Sequence, residues 1–291
     1  MTAEIISGRL VQDGARAFVE DGQGRRHFTD ELIWDGYLRH WSGRSICSRY
    51  LPQTDYETGR PIIIMWPAEA PAAEPIVELY YNERLVKYPA STFGHVAINV
   101  AGEIFNFSHL VNENEAMSPE EYFYRPALGE FAPSPGNGKF EILENGRAYY
   151  DKFGRNFMRT IHVTRVTGID TGKLAAIFHN ELAVIHDTPV DSRQPEKYRD
   201  FNFFTRSCGT IIRDGLRQYG FSGISGFLPR DLLVSATAAL LRSQAQGLVR
   251  VRRYLMPQLR VPEAPPSALS PLFNPCNRRR LRNFPPEATS K

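Results

Sequence analysis

Two residues stand out by type and position: His95 in STFGHVAINVAGEIFNFS and Cys208 in TRSCGTIIRDGL. His95 opens an apolar strand directly after Gly94, where packing alone would place Val or Ile. Cys208 follows small or polar neighbours and precedes an amphipathic helix whose Ile211, Ile212 and Leu216 fall on one face. At the first turn of that helix the N–H groups and the dipole favour a thiolate and can donate to a developing oxyanion. A thiolate in acyl transfer needs a base to take its proton and a polar group to orient that base. His95 supplies the base. On the next strand, alternation puts Ile104, Asn106 and Ser108 on one face and Phe105 and Phe107 on the other. Asn106 is therefore the expected orienting group, with Ser108 and His109 as alternatives.

The elements that must position these residues divide the chain in four. Residues 1–66 hold five short runs of strand character (EIISGRLV, ARAFVED, RRHFTD, SICSRYL and PIIIMW), with turn signals at DGQG and ETGRP. They predict a small all-β, barrel-like accessory domain of the oligonucleotide-fold or SH3-like kind. PAEAPAAEP, residues 67–75, reads as a linker. Residues 76–245 mix strands (IVELYY, GHVAINV, EIFNFS, RTIHVTRV) with helices, the pattern of an α+β domain. TGKLAAIFHNELAVIH repeats Leu174, Ile177, Phe178, Leu182 and Ile185 at helical spacing. SPEEYFYRPA opens like a helix start, and Pro229 begins a further helix in LPRDLLVSATAALLRS. Residues 246–291 are rich in Pro, Asn and Arg and are expected to be largely irregular.

With 42% hydrophobic and 12% aromatic residues in 291, a packed core is within reach. The net charge of +3 is unevenly spread. From Leu241 onward there are ten Lys/Arg against two Asp/Glu, leaving 25 basic and 30 acidic residues before it. A basic tail on a mildly acidic body points to an anionic partner for the tail, whether lipid surface, nucleic acid or acidic protein. Nothing combines basic and aromatic residues into a nucleic-acid face, so no nucleic acid is expected. Three scattered cysteines, Cys47, Cys208 and Cys276, argue against a disulfide framework. MTAEIISGRL lacks the features of a secretory signal, and no apolar run is long enough for a membrane span. The expectation is synthesis in the cytoplasm, with any export by a leaderless route.

Other candidate constellations read as structural. His179 and His186 lie two helical turns apart, too far for an easy metal pair, and His162 sits alone in a strand. The carboxylates of NENEAMSPEE read as a solvated loop and helix start. PSPGNGK lacks phosphate-loop spacing and reads as a turn. The aromatic segment FYRPALGEF could wall a cleft.

The hairpin GHVAINVAGEIFNFS followed far downstream by FFTRSCGTIIRDGL resembles the circularly permuted papain-like fold. That group includes relatives of lecithin:retinol acyltransferase and permuted NlpC-type hydrolases of bacteria. The histidine-before-cysteine order carries the resemblance, which spans roughly residues 78–240. It implies His95 as base, Asn106 as orienting group and Cys208 as nucleophile, with no metal or organic cofactor. The implied reaction is attack on an ester or amide carbonyl through a thioester. Acyl lipid is the favoured substrate, and a peptidoglycan or peptide amide is the alternative. By analogy the chain would suit a leaderless toxin with a secretion machine or an inhibitor protein as partner. The rival of another class is a binding or adaptor protein that keeps the shape without turnover.

Overall fold

The computed structural model describes residues 4–14, 16–28, 38, 40–54, 61–68, 75–84, 92–124, 160–195, 197–256, 269 and 272–286. The chain forms two compact units. One comprises residues 1–72, 119–158 and 259–264, and the other residues 73–118, 159–258 and 265–291. Helices combined with two antiparallel sheets make the protein α+β.

The first unit is built on β1 (Ile6–Asp13), β2 (Arg16–Asp21), β3 (Arg26–His27), β4 (Ser45–Thr54) and β5 (Pro61–Pro67), in the order β3-β2-β1-β4-β5. Alternation sets Leu10, Val19, Ile46, Ile63 and Met65 on one face of the sheet, where all are buried. Among the described residues β3 and β5 stand at the two ends of the order. The short helix α1 (Pro119–Tyr124) packs on β5 and belongs to this unit, although the sequence reading assigned it to the second domain. Arg49 of β4 holds it through Glu121, at 2.7 Å. FYRPALGEF beyond Tyr124 and PSPGNGK lie outside the described residues.

His40 stacks edge-on against Trp41, ring centroids 4.6 Å apart. Burial, helped by the Arg44 charge, holds its pKa down to about 4. The unfolded chain therefore binds a proton near pH 6.5 that the folded unit refuses. The stability this neutral histidine contributes is complete above about pH 6.5 and is lost as pH falls toward 4. All three tryptophans (34, 41 and 66) lie in this unit, so their fluorescence reports its unfolding alone. The urea midpoint read this way should fall between pH 7 and pH 5. His40→Gln should flatten that slope, and an equal slope in the variant would contradict the assignment.

The second unit carries β6 (Val77–Asn82), β7 (His95–Val100), β8 (Glu103–Asn106), β9 (Glu115–Met117), β10 (Ile161–Thr167) and β11 (Arg250–Met256). They form one antiparallel sheet in the order β11-β10-β6-β7-β8-β9. Three longer helices complete it: α2 (Thr171–Asp187), α3 (Cys208–Tyr219) and α4 (Pro229–Ala245). Asp170 caps α2, accepting from the Lys173 N–H, and the five apolar positions read from the sequence are its buried residues. α4 begins at Pro229 and is buried almost all round, the pattern of a central helix. One sheet face, with Leu79, Tyr81, Val96, Ile98 and Phe105, joins these helices in a single core.

The opposite face carries polar groups that satisfy one another. Glu78, 5% exposed, accepts from Tyr80, from Arg165 Nε at 2.7 Å, from Tyr254 Oη at 2.5 Å and from Asn99 Nδ2 at 3.3 Å. Register explains the cluster, since Arg165 and Asn99 stand directly opposite Glu78 on the flanking strands.

Residues 246–291, expected to be largely irregular, contain β11 and a fifth helix, α5 (Pro275–Arg282). The ladder between β10 and β11 runs over seven residue pairs. RVRRYLM carries little strand signal because an edge strand needs partners for one side of its backbone only, so its side chains stay half-exposed and basic. α5 is fixed by Asp231, 3% exposed in the first turn of α4. Its carboxylate accepts from the N–H groups of Phe273 and Asn274, both at 3.1 Å, and from Asn277 Nδ2 at 2.9 Å. Sequence composition could not reveal an anchor that lies more than forty residues away.

Candidate functional site

His95 is the first residue of β7 and pairs with Asn82. Gly94 before it has φ +73°, and a Cβ there would lie 2.5 Å from the Asn82 carbonyl oxygen, so only glycine fits. Period-two alternation then sets His95 on the face shared by Asn82, Ala97 and Asn106, at the end of the sheet where β7 begins. His95 Nε2 lies 2.7 Å from Asn106 Oδ1, and both side chains are buried.

The direction of this bond is fixed by its surroundings. Asn106 Nδ2 donates to the Glu113 carbonyl at 2.7 Å, which turns Oδ1 toward the imidazole. An amide oxygen only accepts, so Nε2 carries a proton, and whenever the ring is neutral its lone pair is on Nδ1. Of the three residues considered as orienting group, Asn106 is the one that binds His95. Ser108 Oγ donates instead to Glu113 Oε2 at 2.6 Å, and the His109 carbonyl accepts from the Tyr198 N–H.

The turn after β8 is clamped by residues that sequence reasoning placed in a solvated loop. Glu113 and Asn114 are 3% and 1% exposed. Asn114 Oδ1 accepts from the Ser108 N–H, and Nδ2 donates to the Ser108 and Leu110 carbonyls. His186, at the end of α2, donates to the Asn114 carbonyl at 2.7 Å. The polar letters of NENE concealed this, because the same amide, carbonyl and carboxylate groups that suit water also hydrogen-bond inward in a buried turn. His179 and His162 pair with Glu103 and Glu83. Among the described residues no cluster of three or more His, Cys, Asp or Glu is placed to hold a metal.

Cys208 is the first residue of α3, half-buried, and packs against the core. Ser207 caps the helix with Thr210: the Ser207 N–H donates to Thr210 Oγ1 at 2.7 Å, and the Thr210 N–H returns to Ser207 Oγ. The cap holds Cys208 at the positive end of the dipole. Ile211, Ile212 and Leu216 face the core, and α3 packs on β7. Gly209 is required by close approach, since a Cβ would lie 2.6 Å from the Phe227 carbonyl oxygen just ahead of α4. From α4, Arg230 Nε donates to Tyr81 Oη at 3.1 Å, and Tyr81 lies against Gly94. These contacts bring the starts of α3, α4 and β7 to one end of the sheet, where Cys208 lies with α3 on the core face and His95 and Asn106 alternate onto the other face.

The fold and this geometry define an α+β protein with a polar His–Asn pair on a β-hairpin and a cysteine at a capped helix start. No family model, curated protein or solved structure matches the chain.

Proposed function

We propose that the second unit is a cysteine-dependent hydrolase or acyltransferase with a permuted papain-like arrangement, acting on an acyl-lipid ester. The observation that carries this reading is the His95–Asn106 bond with its amide fixed by the Glu113 carbonyl. A core histidine needs only a satisfied ring; here the tautomer is set so that Nδ1 is the basic atom. In the proposed reaction the Cys208 Sγ–H proton passes to His95 Nδ1 and the sulfur attacks the ester carbonyl carbon. First-turn N–H groups of α3 stabilise the oxyanion. The carbon–oxygen bond then breaks, and the leaving alkoxide takes the proton from His95. Water, or an acceptor hydroxyl, releases the acyl group from the thioester with His95 again as base. No step calls for a cofactor.

The test needs no substrate. In a background of Cys47→Ser and Cys276→Ser, the rate of Cys208 alkylation by iodoacetamide is measured against pH. A cysteine activated by a base and a helix dipole should stay reactive well below the ordinary thiol range near pH 8.5. His95→Ala should move the profile up into that range, and Asn106→Ala should move it part of the way. An ordinary thiol profile in the parent protein would overturn the proposal.

A further inference from the structure

Every exposed phenylalanine among the described residues belongs to one cluster. Phe93, Phe203, Phe204 and Phe273 are 40%, 36%, 62% and 64% exposed, and the half-buried Phe227 links them. Ring centroids lie 5.4 Å apart for Phe93–Phe203, 5.1 Å for Phe204–Phe227 and 6.4 Å for Phe93–Phe273. The rings come from four separated segments, so the tertiary fold assembles them.

Their presentation is fixed by the backbone. Phe203 and Phe204 ride on a tight turn in which Asn202 Oδ1 accepts from the N–H groups of Phe204 and Thr205, and the Asn202 carbonyl accepts from Arg206. Phe273 is held by the bond from its N–H to buried Asp231. Scattered surface apolar residues are ordinary, but a contiguous rigid patch of large aromatics marks an interaction surface. The patch also occupies the approaches to the candidate site: Phe93 lies two residues before His95, Phe204 four before Cys208, and the Phe227 carbonyl touches Gly209.

Charge identifies the occupant. Phe273 leads directly into α5, whose exposed Arg278, Arg279 and Arg282 have no acidic neighbour between residues 272 and 286. Bulky aromatics beside exposed arginines suit an anionic bilayer, where rings enter the headgroup–acyl boundary and guanidinium groups meet phosphates. We infer that the Phe93–Phe203–Phe204–Phe227–Phe273 surface, with the α5 arginines beside it, docks the second unit on an anionic phospholipid bilayer. The inference rests on the acyl-lipid reading for its purpose, since docking there would present a lipid ester to Cys208.

The experiment uses full-length Cys208→Ala protein, so that binding is read without turnover. Cosedimentation with phosphatidylcholine vesicles, with and without phosphatidylserine, should show binding that phosphatidylserine strengthens and salt weakens. Phe203→Ser/Phe204→Ser should lower partitioning about tenfold or more, from the apolar area withdrawn. Val190→Ser, which alters an exposed apolar residue outside the patch, should bind like the parent. Arg278→Glu/Arg282→Glu should remove the preference for phosphatidylserine. No binding of the parent to either vesicle would overturn the inference, as would wild-type binding by the phenylalanine variant. So would a dimer of the parent that the phenylalanine variant abolishes, because the patch would then face a second copy. These results leave the Cys208 alkylation profile untouched, so either reading can fail without the other.

Discussion

If the proposed mechanism holds, Cys208→Ala should cut release of fatty acid from fluorogenic phospholipid vesicles by about 10⁴-fold or more, as loss of a nucleophile does elsewhere. The same substitution should change stability by about 1 kcal/mol or less, because Cys208 is half-buried and the capping box that starts α3 belongs to Ser207 and Thr210. His95→Ala should lose turnover to a similar degree with a different stability signature. It strands Asn106 Oδ1, on a side chain 1% exposed, at a cost of about 1–3 kcal/mol. A purely structural His–Asn pair would give that cost with no loss of activity. Full turnover in either variant would remove the mechanism. Turnover of peptidoglycan but not of lipid would keep the mechanism and change the substrate.

Glu78→Ala should destabilise the second unit by about 1–3 kcal/mol, the cost of leaving the buried Tyr80 and Asn99 donors without their acceptor, since Arg165 is half-exposed and can turn to water. The carboxylate serves Tyr80, Asn99, Arg165 and Tyr254, which come from β6, β7, β10 and β11, so its loss is felt across four adjacent strands. Glu78→Gln keeps an acceptor and should cost less. Circular dichroism during urea unfolding reads the effect, and a loss under about 1 kcal/mol in Glu78→Ala would contradict it. The same cluster predicts alkaline sensitivity. Burial first, then the Glu78 charge, pushes the Tyr80 and Tyr254 phenols above their usual range. Burial lowers and Glu78 raises the Arg165 pKa, and Glu78 prevails. Folding therefore holds the phenol protons more tightly, and the stability this contributes is complete below about pH 10 and lost as pH rises beyond it.

Much of the local structure was legible in the residues. Ser207 and Pro229 mark two helix starts by chemistry that acts within one turn. Leu174 to Ile185 announce the buried face of α2 because an amphipathic helix must hide one stripe. Alternation separated Asn106 from Phe105 and Phe107, and the structure pairs Asn106 with His95. The clamp formed by Glu113, Asn114 and His186 was not legible, because the polarity that suggests a wet loop also suits a buried hydrogen-bonded turn. Nor was the C-terminal segment. Arginine-rich composition reads as solvated, yet β11 needs only the free edge of β10, and α5 needs only Asp231.

By itself, then, the sequence determined the strands and helices of the second unit that carry a strong period or cap, and it pointed to the His95–Asn106 pair and to Cys208 at a helix start. These follow from interactions spanning a few residues, which propensity and periodicity encode directly. Tertiary structure alone decided which nitrogen of His95 is basic, because that depends on a carbonyl seven residues beyond Asn106 turning its amide. It alone brought Phe93, Phe203, Phe204, Phe227 and Phe273 together, since each is an unremarkable aromatic in its own segment and contact between them exists only after the sheet and helices have packed.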